Sequence, residues 1–174
     1  MRKKLGISGL ALVLIFVIGC KSKNPSPQIQ ELKSFPLDSL DQVITRSGLE
    51  LDQTNSADGK GSIKISADEP TTIALFETGE MDIENAQLIY QAKLKSKNLD
   101  GKAYLEMWCH FPGKGEFFSR GLKNPVSGTM NWISSETPFF LKEAENPDNV
   151  KLNLVIEGKG TVWIDDIKLL KAPL

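Results

Sequence analysis

The chain has 174 residues, 40% of them hydrophobic and 25% charged. Three of its 21 Lys and Arg fall within the first four residues, so beyond that start 18 basic residues face 22 Asp and Glu, a net charge of −4. An acidic balance without a basic stripe argues against nucleic acid as a partner, because neutralising phosphates takes clustered Lys and Arg. The length suits one domain with a real core, since two separate domains of half this size would each be marginal.

In chain order, the first element is a charged start, Arg2-Lys3-Lys4, followed by the apolar run from Leu5 to Gly19 and then Cys20. A basic region, an apolar stretch and a small residue before the cut describe a secretory signal peptide over 1–19. The run is short for a helical span, which needs about 20 apolar residues. Val17-Ile18-Gly19-Cys20 resembles the lipobox of bacterial lipoproteins. That resemblance implies cleavage before Cys20, a diacylglycerol (palmitate-type) modification on its thiol, and a membrane partner reached through the lipid. It places the chain in the bacterial cell envelope. Lys21, where Asp would signal inner-membrane retention, favours the outer membrane in a diderm source. Two or more acyl chains are what stable anchoring requires.

With Cys20 lipidated, Cys109 has no partner, so neither a disulfide framework nor a cysteine-based zinc site is available. Residues 20–34 read as the lipidated Cys and a flexible linker. Pro25 and Pro27 oppose regular structure, no apolar period appears, and a coil of this length averages about 20 Å end to end. Phe35 to Ser47 is ambiguous: Leu37, Leu40 and Ile44 have helix-like spacing, while Gln42 to Thr45 could be a first strand.

From Gly61 onward the apolar period is close to two. Segments are short and punctuated by Gly, Asn, Asp and Pro, which is the all-β pattern. Strands are expected near 61–66, 71–77, 86–96, 102–111, 116–120, 128–134, 137–142, 150–157 and 161–170. Turns fall at Asp58-Gly59, Leu99-Asp100-Gly101, Asn124-Pro125 and Asn146-Pro147-Asp148-Asn149. The 35–174 domain is therefore predicted to be a β-sandwich, with a jelly roll as its topology. Alternation points Ala103, Leu105, Met107, Cys109 and Phe111 one way and Tyr104, Glu106, Trp108 and His110 the other.

Three motifs carry a second resemblance. Glu157-Gly158-Lys159-Gly160-Thr161-Val162-Trp163-Ile164-Asp165-Asp166-Ile167-Lys168-Leu169 resembles the last strand of galactose-binding-like jelly rolls, including carbohydrate-binding modules of glycan hydrolases. Asp58-Gly59-Lys60-Gly61-Ser62-Ile63-Lys64-Ile65 is similar to their early strand, and Gly128-Thr129-Met130-Asn131-Trp132 to their mid-domain step. The resemblance implies the sandwich fold over roughly 45–170. It also implies a structural Ca²⁺, for which Asp166, Glu50 and Asp52 are the candidate ligands. Calcium needs six to eight oxygens, and the alternative is that Asp166 bonds backbone amides at a strand bend.

A sugar offers an apolar C–H face and a rim of hydroxyls, so a binding face needs aromatic plates beside amides and carboxylates. Tyr104, Glu106, Trp108 and His110 supply both types on one strand face. Asn153 and Glu157 are expected on the same sheet, with Gln91 and Lys93 beside them. Either this face is a glycan groove, or it packs under a loop or docks another envelope protein as part of a structural lipoprotein. Phe117-Phe118 and Arg120 follow the turn Pro112-Gly113-Lys114-Gly115 and form a separate candidate contact surface. Trp163 reads as covering the sandwich end and Trp132 as structural. His110 is the sole histidine, and neither a G-x-S-x-G elbow nor a P-loop occurs, so the pattern points to binding and away from enzyme chemistry.

Overall fold

The computed structural model describes residues 28–174. The signal peptide, Cys20 and most of the linker lie outside the described residues. Eight strands and no helix make up the described part, joined into one hydrogen-bonded system. In chain order they are β1 (Gln30–Phe35), β2 (Leu49–Asp52), β3 (Ser62–Ala67), β4 (Thr71–Glu77), β5 (Ala86–Phe111), β6 (Gly115–Arg120), β7 (Val126–Leu141) and β8 (Asn149–Ala172).

The frame is a long antiparallel ribbon of β5 and β8, paired from Gln87–Ala172 at one end to His110–Asn149 at the other. Midway, the register shifts between Lys97 and Asp100. Here the two backbones come so close that side chains cannot fit. A Cβ on Gly101 would lie 1.9 Å from the Glu157 carbonyl oxygen, and one on Gly158 would lie 1.6 Å from that of Asp100. The ribbon therefore serves both sheets of a β-sandwich, one through each half. Around 102–111 and 149–157, β4 adds to the β8 side and β6 to the β5 side. Around 86–96 and 160–172, β1 and β3 add to β8, β2 adds to β3, and β7 adds to β5.

Alternation selects the core. Leu88, Tyr90, Ala92 and Leu94 from one half join Ala103, Leu105, Met107 and Cys109 from the other in one buried cluster with Leu152, Leu154, Ile156, Ile164, Ile167 and Leu169. Val162 and Ile164 point inward at even positions, Ile167 and Leu169 at odd ones. A bulge at Asp165–Asp166, where Asp166 takes φ 49°, makes the change of parity.

Three expectations about elements change. The linker ends earlier than residue 34, because Gln30–Phe35 pairs with Ile167–Lys171 of β8. As an edge strand it buries only Phe35 fully, so its sequence shows no alternation. Residues 36–48 form neither the helix nor the strand envisaged; Leu37 and Val43 are core, and the Ile44 and Thr45 amides donate to Leu75 and Ala74 of β4. Finally, 86–96 with 102–111, 128–134 with 137–142, and 150–157 with 161–170 are each one strand. Gly101, read as a turn in the first of these, is a bend inside a continuous ladder and faces Gly158 in the last. Pro138 is tolerated in β7, whose ladder partner is β5, in line with the rule that keeps Pro to edge positions.

Candidate functional site

Because Leu105, Met107 and Cys109 are taken by the core, Tyr104, Glu106, Trp108 and His110 stand on the outer face of their sheet. Register brings Val155, Asn153, Lys151 and Asn149 beside them from β8. From β6 come Arg120, Phe118 and Glu116. Asn153 and Glu157 thus join the strand face as the sequence implies. Gln91 and Lys93 do not, since they belong to the other half of the ribbon, where Gln91 bonds Glu136.

Glu106 is the hub. Its Oε1 accepts the Trp108 indole N–H at 2.7 Å and the Asn153 amide at 3.3 Å, and its Oε2 accepts Arg120 Nε at 2.7 Å. The residue is 5% exposed. Burial pushes its carboxyl upward, but the bonds from Trp108, Arg120 and Asn153 outweigh that and hold it below the ordinary carboxylate value. Arg120 is raised in turn by the same bond. A carboxylate with three donors does not move, so the indole edge is pinned and its ring plane is set.

Tyr104 is a correction. It is 2% exposed, with Lys102 Nζ 5.6 Å from its ring centre and its hydroxyl donating to Glu157 Oε1 at 2.7 Å. Burial and that bond push the phenol to about 12. The Tyr104 bond holds Glu157 low, assisted by Lys102 at 3.3 Å. Tyr104 is a strut under the face rather than a plate on it. The exposed plate is Phe118, half exposed, 5.0 Å from the Trp108 ring and tilted 45° to it, with the Arg120 guanidinium 4.6 Å from its centre. Phe118 and Arg120 therefore belong to this face, and Phe117 to the other side of β6, against Phe111. A three-residue turn over 112–114 pairs Phe111 with Gly115, and counting outward from it pairs Trp108 with Phe118 and Glu106 with Arg120. The Pro112-Gly113-Lys114-Gly115 signal held that register.

The cations of this face are paired: Lys102 with Glu157 and Arg120 with Glu106. Lys151 meets Glu116 at 2.6 Å, and His110 Nδ1 lies 2.5 Å from Asp148. The result is an aromatic pair, Phe118 half exposed and Trp108 partly so, inside a ring of polar groups whose cations are paired, suited to stacking and hydroxyl recognition.

The three calcium candidates are not brought together. Glu50 pairs with Lys64 at 2.8 Å. Asp52 accepts Trp163 Nε1 at 2.8 Å with Thr54 and Asn55 around it, and the Trp163 bond foremost lowers its carboxyl. Asp166 pairs with Lys168 at 3.0 Å. Among the described residues no three His, Cys, Asp or Glu form a metal-holding group. The backbone-bonding role belongs to Asp165, 1% exposed, which accepts the Ala57 amide at 2.7 Å and Ser56 Oγ at 3.2 Å. The bulge turns Asp165 toward the 53–61 loop and Asp166 away from it.

No protein-family model and no curated protein matches this chain. Solved structures do. The CBM22-1 xylan-binding domain of Paenibacillus barcinonensis Xyn10C is similar over 86% of this chain and 97% of its own, at 13% identity and a TM-score of 0.56. A xylan-binding domain of CBM22 is similar over 83% and 97%, at 9% identity and 0.55. The CBM22-1–GH10 modules of Clostridium thermocellum Xyn10B, complexed with xylohexaose, match over 82% of this chain, at 10% identity and 0.58. This chain spans 28% of that two-module chain. At these identities the likeness is one of fold: an all-β, galactose-binding-like jelly-roll sandwich, as the three sequence motifs imply.

Proposed function

We propose that this chain is a non-catalytic carbohydrate-binding protein, held at the bacterial cell envelope by lipid on Cys20 and binding glycan on the Trp108 face. The observation that carries the reading is the Trp108–Phe118 pair, pinned by Glu106 and rimmed by Asn153, Arg120, Lys151 and Glu157. A rigid aromatic surface binds at little entropic cost, because the side chains are ordered before the ligand arrives. The pairing of Lys102, Arg120 and Lys151 with carboxylates leaves no free cation for an acidic sugar and favours neutral ones. The fold neighbours that bind xylan support the same class of ligand, and the lipobox-like Val17-Ile18-Gly19-Cys20 supports the location, with the outer membrane as the address in a diderm cell.

The test is calorimetric titration of the full-length chain with xylohexaose and a panel of neutral polysaccharides. Binding that falls tenfold or more in Phe118→Ala, about 1.4 kcal/mol, supports both ligand class and face. Binding unchanged in Phe118→Ala and Trp108→Ala rejects the face, and no binding to any glycan rejects the function. One observation favours a second reading, docking to an envelope protein: Phe117, Phe118, Leu122 and Phe140 are each at least half exposed. That reading predicts no glycan binding and a protein partner released by Phe118→Ala.

A further inference from the structure

The outer face of the other sheet carries a cleft of about 440 Å³, unrelated to Trp108. Asn55, Lys95, Asn98, Thr129, Asn131 and Trp163 line it, with Lys97 on the rim. Its chemistry differs from the Trp108 face in one respect. There Lys102, Arg120 and Lys151 are each paired with a carboxylate; here, among the described residues, no ion pair includes Lys95 or Lys97. In a chain that is acidic overall, two such lysines in one cleft form a local anion-attracting site.

Lys95 is also held in place. Its Nζ lies 5.5 Å from the Trp163 ring centre and 6.0 Å from that of Trp132, and it donates to Asn55 Oδ1 at 2.9 Å. Trp163 is locked by Asp52 and Asn55 by the same carboxylate. Two indoles and an amide therefore orient one ammonium, which keeps further donor capacity for an anion. The flanking polar groups are arranged for hydroxyls. Asn98 spends its oxygen on Thr129 Oγ1 at 3.4 Å, and Asn131 spends its own on the Trp132 amide at 2.9 Å. Both –NH₂ groups remain as donors beside the lysines.

We propose that this cleft is a second binding site, for the carboxylate-bearing ring of an acidic glycan. Lys95 and Lys97 take the uronate carboxylate. Asn98, Asn131 and Thr129 meet the ring hydroxyls. The site rests on the unpaired lysines and the cleft, and stands or falls separately from the Trp108 face.

The test is titration of the full-length chain with trigalacturonate, with trimannuronate, and with the methyl ester of each, at 50 mM and 500 mM salt. The expected result is that at least one acid binds, at least tenfold more tightly than its ester, and weakens at high salt. Lys95→Gln and Lys97→Gln should each lose threefold or more, while Phe118→Ala leaves the acid affinity unchanged. Lys97 is exposed, so Lys97→Gln with an unchanged melting curve keeps the test valid where Lys95→Gln disturbs the two indoles around Lys95. No binding of either acid, equal binding of acid and ester, or full affinity in both folded lysine variants overturns the proposal. So does loss of acid binding in Phe118→Ala, because it would place the acid on the Trp108 face.

Discussion

Replacing Glu106 with Gln tests whether the Trp108 face is built on a charge. The substitution keeps the shape. Its oxygen can still accept from Trp108 and Asn153, but its –NH₂ now confronts Arg120 Nε, donor against donor. One charge-assisted bond is lost, and such bonds contribute about 1.5–3 kcal/mol. The Arg120 side chain is 42% exposed, so water recovers part of the loss and the low end applies, about 1.5–2 kcal/mol. For a domain of this size each kcal/mol moves Tm by about 2–4 °C, so the variant should melt about 3–8 °C lower at pH 7. The pH dependence has a definite sign. The Glu106 carboxyl sits below its ordinary value in the fold, so its stabilisation is complete above the unfolded-state value, near ~4.3, and is lost as pH falls through the folded value. Melting curves of both proteins from pH 7 to pH 3, followed by circular dichroism, should show the gap narrowing below pH ~4. A gap of under a degree at pH 7, or a gap that persists unchanged at pH 3, would refute the hub.

Gly158→Ala places a Cβ 1.6 Å from the Asp100 carbonyl oxygen; backbone must move, so a loss of more than about 4 kcal/mol and largely insoluble expression are expected, scored by soluble yield and melting. Asp165→Ala strips the acceptor from the buried Ala57 amide and should cost about 1–3 kcal/mol in chemical denaturation, whereas Asp166→Asn, at a φ that Asn adopts readily, should stay within about 0.5 kcal/mol. With Glu50, Asp52 and Asp166 each bound elsewhere, adding Ca²⁺ after chelation should leave Tm unchanged; a rise of several degrees would show a site that the arrangement does not contain. Burial pushes the Cys109 thiol up to about 12, so a disulfide reagent should modify it in denaturant and not in the native protein at pH 8.

What was legible followed the core. Alternation in 102–111 picks out the inward residues Ala103, Leu105, Met107, Cys109 and Phe111, because a sheet with one wet face cannot slip by one position without exposing its whole apolar set. It failed where a single residue changes parity. Nothing in Trp163-Ile164-Asp165-Asp166-Ile167 marks the bulge, so the pattern points to Asp166 for the role that Asp165 fills. It also failed at β1, where an edge strand contributes backbone hydrogen bonds that any side chain permits. A chain begun at residue 35 would lack that strand. Tyr104 departs furthest from its expected role. Facing outward on a strand does not by itself mean meeting solvent: Lys102 lies over the Tyr104 ring and its cross-strand partner Glu157 takes the hydroxyl.

The same limit explains why the two outer faces could not be ranked from the sequence. Alternation states which side chains leave the core, and says nothing about whether their charges find partners across a ladder. Glu106 meets Arg120, 14 positions away, through a turn, and Asn153 through the β5–β8 ribbon. Lys95 lies on the same long strand, but register pairs it with Trp163, Trp132 lies beside it, and no carboxylate among the described residues forms an ion pair with it. One strand thus feeds an aromatic face whose cations are paired at one end and, among the described residues, a cationic cleft without ion pairs at the other. The difference lies in register, and register here depends on the crossing of Gly101 and Gly158. A substitution there should therefore disturb both faces together, while substitutions within either face should leave the other intact.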